Sequence, residues 1–576
     1  MKRKQLTFRI RLLSVAVICI GLILSARMYH LQVMQTERFQ DKAESQYVYT
    51  KTDLYSRGSI YFTTRDGAEL SAAAIQSGYV LAVDPTRIVV PPEEFCAALQ
   101  QVAELNINTK KCIERAGLPE RTYVELAQQV PEEVSVKVKE LGLVGAYLYK
   151  DQWRYYPGGS VAARSIGFVG FTGEKASQLR GKYGLERYYD DVLYQERQVL
   201  SVNFFAELFS NLGDLVYEKK GPRTGDIITT LEPSVSRMLD TVLFETNERY
   251  ESTLTGAIVM DPSTGEIIAM NAVPGFDLND KSDASIEQFQ NPLVENVYEF
   301  GSTIKALTMA AGLDSGAVMP GTTYYDSGSL TLDKYTIRNY DGRGRGTVPM
   351  QEVLNQSLNT GVSWIVTQMG KEKFRDYFLN LKLGSESGVD LPNEAYGLVD
   401  NLDSPRDVEY ATASFGQGIA LTPIAVTRAL AALGNGGKLV TPHLVKEIRY
   451  DDGEVKEIRY PEGTQVFSAE TSEDISRMLA TVVDDALRGG VEALPNYSIG
   501  AKTGTAQIAD PVNGGYYDDK FLHSFFGYFP AYDPKFIVFM YTVEPKGVKY
   551  ASETLTTPFM DITKFLINYY SIPPDR

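Results

Sequence analysis

The sequence predicts a membrane-anchored chain with two folded parts. The first is an α+β region to about residue 250; the second is a domain of helices around one sheet, reaching the C-terminus. Three observations carry this. A basic N-terminus runs straight into an uncharged apolar segment. The 576 residues exceed one ordinary domain. Beyond about residue 253, apolar strand-like segments lie at both ends of the region with helical periodicity between them.

The N-terminal stretch MKRKQLTFRIR is basic, and Leu12 to Ala26 carries no charge. At about 1.5 Å per residue that run covers roughly 22 Å, short of a ~30 Å hydrocarbon core. Arg11 and Arg27 can snorkel, and Met28, Tyr29 and Leu31 add apolar length. A cleaved signal peptide is the competing reading; Ala26 suits it, but Leu24 two residues earlier does not. The expectation is a retained single-pass anchor over residues 12–31 in the cytoplasmic (inner) membrane. Residues 1–11 stay cytoplasmic because Lys2, Arg3, Lys4, Arg9 and Arg11 precede it. Everything later is then extracytoplasmic. Cys96 and Cys112 would lie where a disulfide is permitted, and a bridge and two buried free thiols both stay open.

Residues 27 to about 50 continue the anchor as a helix. RGSIYFTTRDGAELS (57–71) alternates apolar and polar residues around Asp66-Gly67, a hairpin pattern. Residues 92–145 read as two or three amphipathic helices broken by Pro91-Pro92, Pro119 and Pro131. Residues 154–170 read as a turn, a short helix and a glycine-punctuated strand. A strand and a long helix fill 225–250. The segment from 32 to 250 is therefore expected to be an α+β pedestal. From 251, TGAIVMDPSTGEIIAMNAV is a hairpin of two strands, three further strands follow residue 497, and the last apolar stretch is a helix. One mainly antiparallel five-stranded sheet, assembled from two distant segments and flanked by helices, accounts for residues 251–576.

The formal charge of −16 argues against a nucleic-acid surface. The three histidines, His30, His443 and His523, supply a metal site or a Ser-His-Asp triad poorly. His443 and His523 read as structural, and YDGRGRG (340–346) as a solvated loop near a site entrance. The chemistry lies elsewhere. Ser302 and Lys305 stand at i and i+3 on one helical face. A serine hydroxyl needs a base, and a lysine serves only when burial or a nearby cation favours its neutral form. Ser357 and Asn359 lie two apart about 55 residues on, placed to reach a cleft from a loop. Lys502, Thr503, Gly504 and Thr505 sit on an apolar strand. There Lys502 offers a cation, the threonines hydroxyl donors, and Gly504 room for a ligand backbone. Each motif alone is weak; the three in this order are not.

Ser-x-x-Lys, Ser-x-Asn and Lys-Thr-Gly in this order resemble the signature of penicillin-binding proteins and serine β-lactamases. YEFGSTIKALTMAAGL, SLNTG, ASFGQGIALTPIAVTRALAALGNGG, GAKTGTAQ and RYYPGGSVAARSIGFVG are similar to class B penicillin-binding proteins. The resemblance runs from the anchor almost to the last residue. It implies a dimerisation-type pedestal and an α/β penicillin-binding transpeptidase domain, with no cofactor and no metal. Ser302 would attack the penultimate D-alanine of a peptidoglycan stem peptide. Lys305 would take its proton. Ser357, held by Asn359 and Lys502, would relay a proton to the leaving amine. Thr503 and Thr505 would hold the substrate carboxylate with Lys502, while the N–H groups of Ser302 and Thr505 formed the oxyanion hole. Lipid-linked precursor, β-lactams, a membrane glycosyltransferase and divisome proteins are the implied partners. The stretch GFVGFTGEKASQLRGKYGLERYYDDVL resembles the division type more than the elongation type. Alternatives are a serine β-lactamase or D,D-carboxypeptidase, or a mainly scaffolding division protein. A β-lactamase would need a group activating water, and the acids of NLDSPRDVEYATASFGQG form no such pattern.

Overall fold

The computed structural model describes residues 56–118, 120–172, 178–195 and 223–576. The expected anchor over 12–31 and the helix continuing it lie outside the described residues. Among the described residues, no helix is long and apolar enough to cross a membrane. Residues 75–153 form one compact unit, and residues 57–74 with 154–576 form another.

In the smaller unit, helices Pro92–Gln100, Thr109–Ala116 and Glu132–Glu140 match the predicted amphipathic segments. The strand Val124–Val130 lies between the second and third, paired antiparallel from Tyr79↔Val130 to Val83↔Val124. Helical periodicity alone had not separated it from its neighbours. Leu81, Phe95, Leu99, Val134 and Val138 make the core. Cys96 and Cys112, one on each of the first two helices, are joined in a disulfide, which settles the open alternative.

The larger unit is built on a five-stranded sheet. Its strands are β1 (Leu254–Met260), β2 (Ile267–Val273), β3 (Gly500–Ala509), β4 (Tyr516–Phe529) and β5 (Phe536–Val543). The order is β2-β1-β5-β4-β3, and every neighbouring pair is antiparallel. Strands from two segments more than two hundred residues apart thus share one sheet, as the pattern required. Both faces are covered, so β1, β2, β5 and the second half of β4 are buried and mostly apolar, while β3 carries polar residues where it borders the cleft. Phe525, Val538 and Met540 face one side, with α1 (Pro233–Arg249) and the C-terminal helix Thr556–Tyr570 over them. Phe526, Ile537 and Phe539 face the other, toward α2 (Lys305–Asp314).

Helix α1 begins where Pro233 occupies the first turn and the Glu232 carboxylate accepts from the Val235 N–H at 2.6 Å. It packs on β1 and β2 through Val235, Leu239 and Leu243. A division of the chain at 250/251 therefore cuts between a helix and the sheet it covers. A second sheet in the same unit joins Gly225–Thr229 to Ile60–Thr63 on one side and to Val445–Tyr450 on the other. The hairpin around Asp66-Gly67 forms as predicted, with Thr63 opposite Glu69. The strand at 445–450 had been read as part of a helical stretch.

Candidate active site

The turn carrying Ser302 is a 3-10 turn, Gly301–Ile304, and the α-helix starts only at Lys305. Ser302 therefore does not cap the helix. Gly301 has φ +61°, and a Cβ there would stand 2.6 Å from the Thr505 carbonyl oxygen. From the other side, a Cβ on Gly504 would meet the Phe300 carbonyl oxygen and Ser524 Oγ, each at 2.4 Å. The two glycines interlock the nucleophile turn with strand β3. This corrects the expectation for Gly504: its missing side chain admits the 300–303 turn, not a ligand backbone. Ser524 helps by donating to the Phe300 carbonyl at 2.8 Å.

Ser302, Ser357, Asn359, Lys502, Thr503 and Thr505 all line one cleft of about 750 Å³. Lys305 is completely buried beneath it. Its amine donates to the Ser357 carbonyl oxygen at 2.5 Å and to Ser357 Oγ at 3.2 Å. The Lys502 amine donates to the same Oγ at 3.1 Å and to the Thr503 carbonyl at 3.0 Å. Ser357 thus sits between two amines. Burial, and then the charge of Lys502, hold the Lys305 pKa well below that of an ordinary lysine. Burial alone pushes Lys502 down to about 8.

Ser357 follows the helix Met350–Asn355 and has φ +53°, in the left-handed region that non-glycine residues avoid. The helix α3 (Asn359–Met369) begins two residues on. Asn359 points differently from the expectation. Its Nδ2 donates to the Arg338 carbonyl at 2.8 Å, so it ties the turn to the cleft wall instead of holding the Ser357 hydroxyl. On β3, Thr505 Oγ1 accepts from the Ala551 N–H at 3.0 Å, which leaves its own proton to be donated.

Sequence reasoning missed the walls. Arg338 and Tyr340 line one side and Tyr550 the other, with the tyrosine rings edge to face at 5.9 Å. The loop read as solvated near the site entrance is exposed over residues 340–344, with Tyr340 at the cleft, and it is also pinned. Arg345 holds Asp341 through two bonds and donates from Nε to Gln356 Oε1 at 2.9 Å, beside Ser357. The Arg345 guanidinium holds the Asp341 carboxyl down to about 2. The bare Gly-Arg spacing carried no signal for this. His523 is fully buried: its Nδ1 meets Thr554 Oγ1 at 2.9 Å and its Nε2 the Lys549 carbonyl at 3.0 Å. His443 stacks on Tyr460. Among the described residues, no cluster of histidine, cysteine and carboxylate side chains could hold a metal ion.

An antiparallel sheet with a buried lysine one turn from a cleft serine, and a second serine between two amines, defines a serine acyl-transfer fold. The chain belongs to the penicillin-binding protein transpeptidase family, in its class B form. The family model for the penicillin-binding protein transpeptidase domain matches residues 255–564, and that for the penicillin-binding protein dimerisation domain matches 54–204. Stage V sporulation protein D of Bacillus subtilis is 30% identical over 97% of this chain and 85% of its own. The probable peptidoglycan D,D-transpeptidase PenA of Neisseria meningitidis is 28% identical over 98% and 93%. Penicillin-binding protein 3 of Mycobacterium tuberculosis, solved with aztreonam, has the same fold at a TM-score of 0.67. It is 23% identical, with 90% of this chain and 97% of that one covered.

Proposed function

We propose that this protein is a peptidoglycan D,D-transpeptidase that cross-links stem peptides through an acyl-enzyme on Ser302 during septal wall synthesis. The placement of Ser357 Oγ within 3.2 Å of both the Lys305 and Lys502 amines, in the cleft that holds Ser302, carries the reading. A neutral lysine amine has two hydrogens and one lone pair. The two bonds from Lys305 to Ser357 use both hydrogens and leave the lone pair for the Ser302 proton. Ser302 Oγ then bonds to the carbonyl carbon of the penultimate D-alanine. The N–H groups of Ser302 and Thr505 face the developing oxyanion. The C–N bond to the terminal D-alanine breaks, and its nitrogen takes a proton through the Ser357 hydroxyl, which Lys305 resupplies. An amine of a second stem peptide enters by the same path in reverse, and the ester becomes the cross-link. Thr503, Thr505 and the Lys502 cation hold the donor carboxylate. Asn359 acts through the cleft wall.

β-Lactams enter as donor mimics and stop at the ester. Residues 12–31 anchor the protein in the cytoplasmic membrane with residues 1–11 inside, which the basic N-terminus supports. A membrane glycosyltransferase supplying the glycan and divisome proteins are its partners. A donor stem pentapeptide with an amine acceptor tests the reading. The enzyme should release D-alanine and form cross-linked product, and Ser302→Ala should do neither. Release of D-alanine with water as the sole acceptor, at every acceptor concentration, would make the protein a carboxypeptidase.

A further inference from the structure

Asp326 ends the strand Thr323–Asp326 and is only 1% exposed. It belongs to none of the three motifs. Among the described residues, the hydrogen bonds its carboxylate accepts come from neutral N–H and O–H groups. The Gly328 N–H lies at 2.9 Å, the Thr360 hydroxyl at 2.8 Å and the Arg345 main-chain N–H at 3.0 Å. Asn339 Nδ2 reaches both carboxylate oxygens, at 3.0 and 2.9 Å. Asn339 in turn accepts the Thr360 N–H at 3.2 Å. Asn339 and Thr360 are themselves buried, so the group forms a closed polar network in which each member completes the others.

What this network grips is the Ser357–Asn359 turn. Thr360 directly follows Asn359. On the near side, Gln356 is held by Arg345, whose own main chain is bound to Asp326. The turn is therefore fixed at both ends from one carboxylate. It needs fixing, because the left-handed φ of Ser357 persists only where the surroundings determine it. Ser357 also supplies the carbonyl and hydroxyl oxygens that place the Lys305 amine.

We propose that Asp326, acting through Asn339 and Thr360, is a positioning residue for acylation: it holds the Ser357 turn, and through that turn the Lys305 amine, in register with Ser302. This rests on the transpeptidase reading. The network also carries the cleft wall, since Arg338, whose carbonyl receives Asn359, precedes Asn339.

The test uses Thr360→Val, which keeps shape and removes the hydroxyl, Thr360→Ser, which restores it, and Arg345→Gln, which releases Gln356 from a loop near the surface. Fluorescent penicillin at several concentrations separates non-covalent affinity from the acylation rate constant. Thr360→Val should lower the rate constant roughly tenfold or more, since small misplacements of reacting groups cost up to about a hundredfold. Affinity should hold within about twofold, and melting temperature should not account for the loss. Thr360→Ser should acylate like the parent. Arg345→Gln should shift the rate constant in the same direction, and it keeps the test open should Thr360→Val fail to fold. The rising limb of the pH profile should move in Thr360→Val, because Ser357 no longer fixes the amine. A folded Thr360→Val with the parental rate constant and pH profile overturns the proposal, as does a Thr360→Ser as slow as Thr360→Val. A parent protein that penicillin does not acylate would refute the transpeptidase reading instead.

Discussion

Replacing Lys305 separates a base from a fixed charge. Lys305→Ala deletes an amine with no exposure to solvent that makes two hydrogen bonds to Ser357. Loss of its bond leaves the Ser357 carbonyl oxygen without that donor, at a cost of about 1–3 kcal/mol. Removing a desolvated amine beside Lys502 works in the opposite direction, so the net change in stability should be small. The kinetic effect is not small. Ser302 keeps its hydroxyl but loses the acceptor for its proton, and losing a general base costs about 10²–10⁴ in rate, or about 3–5.5 kcal/mol in activation free energy. The assay is the acylation rate constant with fluorescent penicillin from about pH 6 to about pH 10, spanning the value of about 8 for Lys502 and approaching the ordinary lysine value. In the parent, the rate should rise with pH as Lys305 loses its proton. That limb should lie well below the ordinary lysine pKa, because burial and Lys502 both favour the neutral form. Lys305→Ala should lose the limb and recover only slowly toward alkaline pH. Lys305→Arg should not rescue, because a guanidinium stays protonated throughout. Parental acylation by Lys305→Arg would refute the reasoning and make Lys305 a fixed charge.

Lys502 must stay protonated to hold a carboxylate, so acylation should fall as pH rises through about 8; Lys502→Arg should keep the rate up past that point in the same titration. Gly504→Ala places a methyl 2.4 Å from the Phe300 carbonyl oxygen and should displace the nucleophile turn. Overpacking of this kind costs about 1–3 kcal/mol, and calorimetry together with acylation should register both losses. The disulfide closes a loop with a sequence separation of 16. Replacing both cysteines by serine should destabilise residues 75–153 by about 3 kcal/mol, seen in hydrogen exchange, with acylation of Ser302 unchanged.

The catalytic sheet was legible because β1, β2, β5 and the second half of β4 are apolar runs bounded by turn residues, and two-sided burial, as at Phe525 and Phe526, keeps such runs apolar. The motif residues were legible because the three spacings reinforce one another. The strands Val124–Val130 and Val445–Tyr450 were not. The first is short and half exposed beside helices, and the second earns its place by pairing with a segment some 220 residues earlier. The orientation of Asn359, the packing role of Gly504 and the Asp326 network were also invisible. Each depends on which backbone carbonyl or N–H happens to lie opposite, and tertiary approach sets that where spacing does not. The Asp341–Arg345 pair shows the same limit, since the spacing of an exposed glycine-rich loop does not reveal that Arg345 meets Gln356.

The chemistry proposed for the cleft centres on one covalent bond, the ester at Ser302 Oγ. Mass spectrometry of the intact protein after brief exposure to a penicillin, followed by mapping of the modified peptide, tests it most directly. A single adduct of the antibiotic's full mass should form on Ser302, and none on Ser302→Ala. An adduct on another residue, or one that survives in Ser302→Ala, would contradict it.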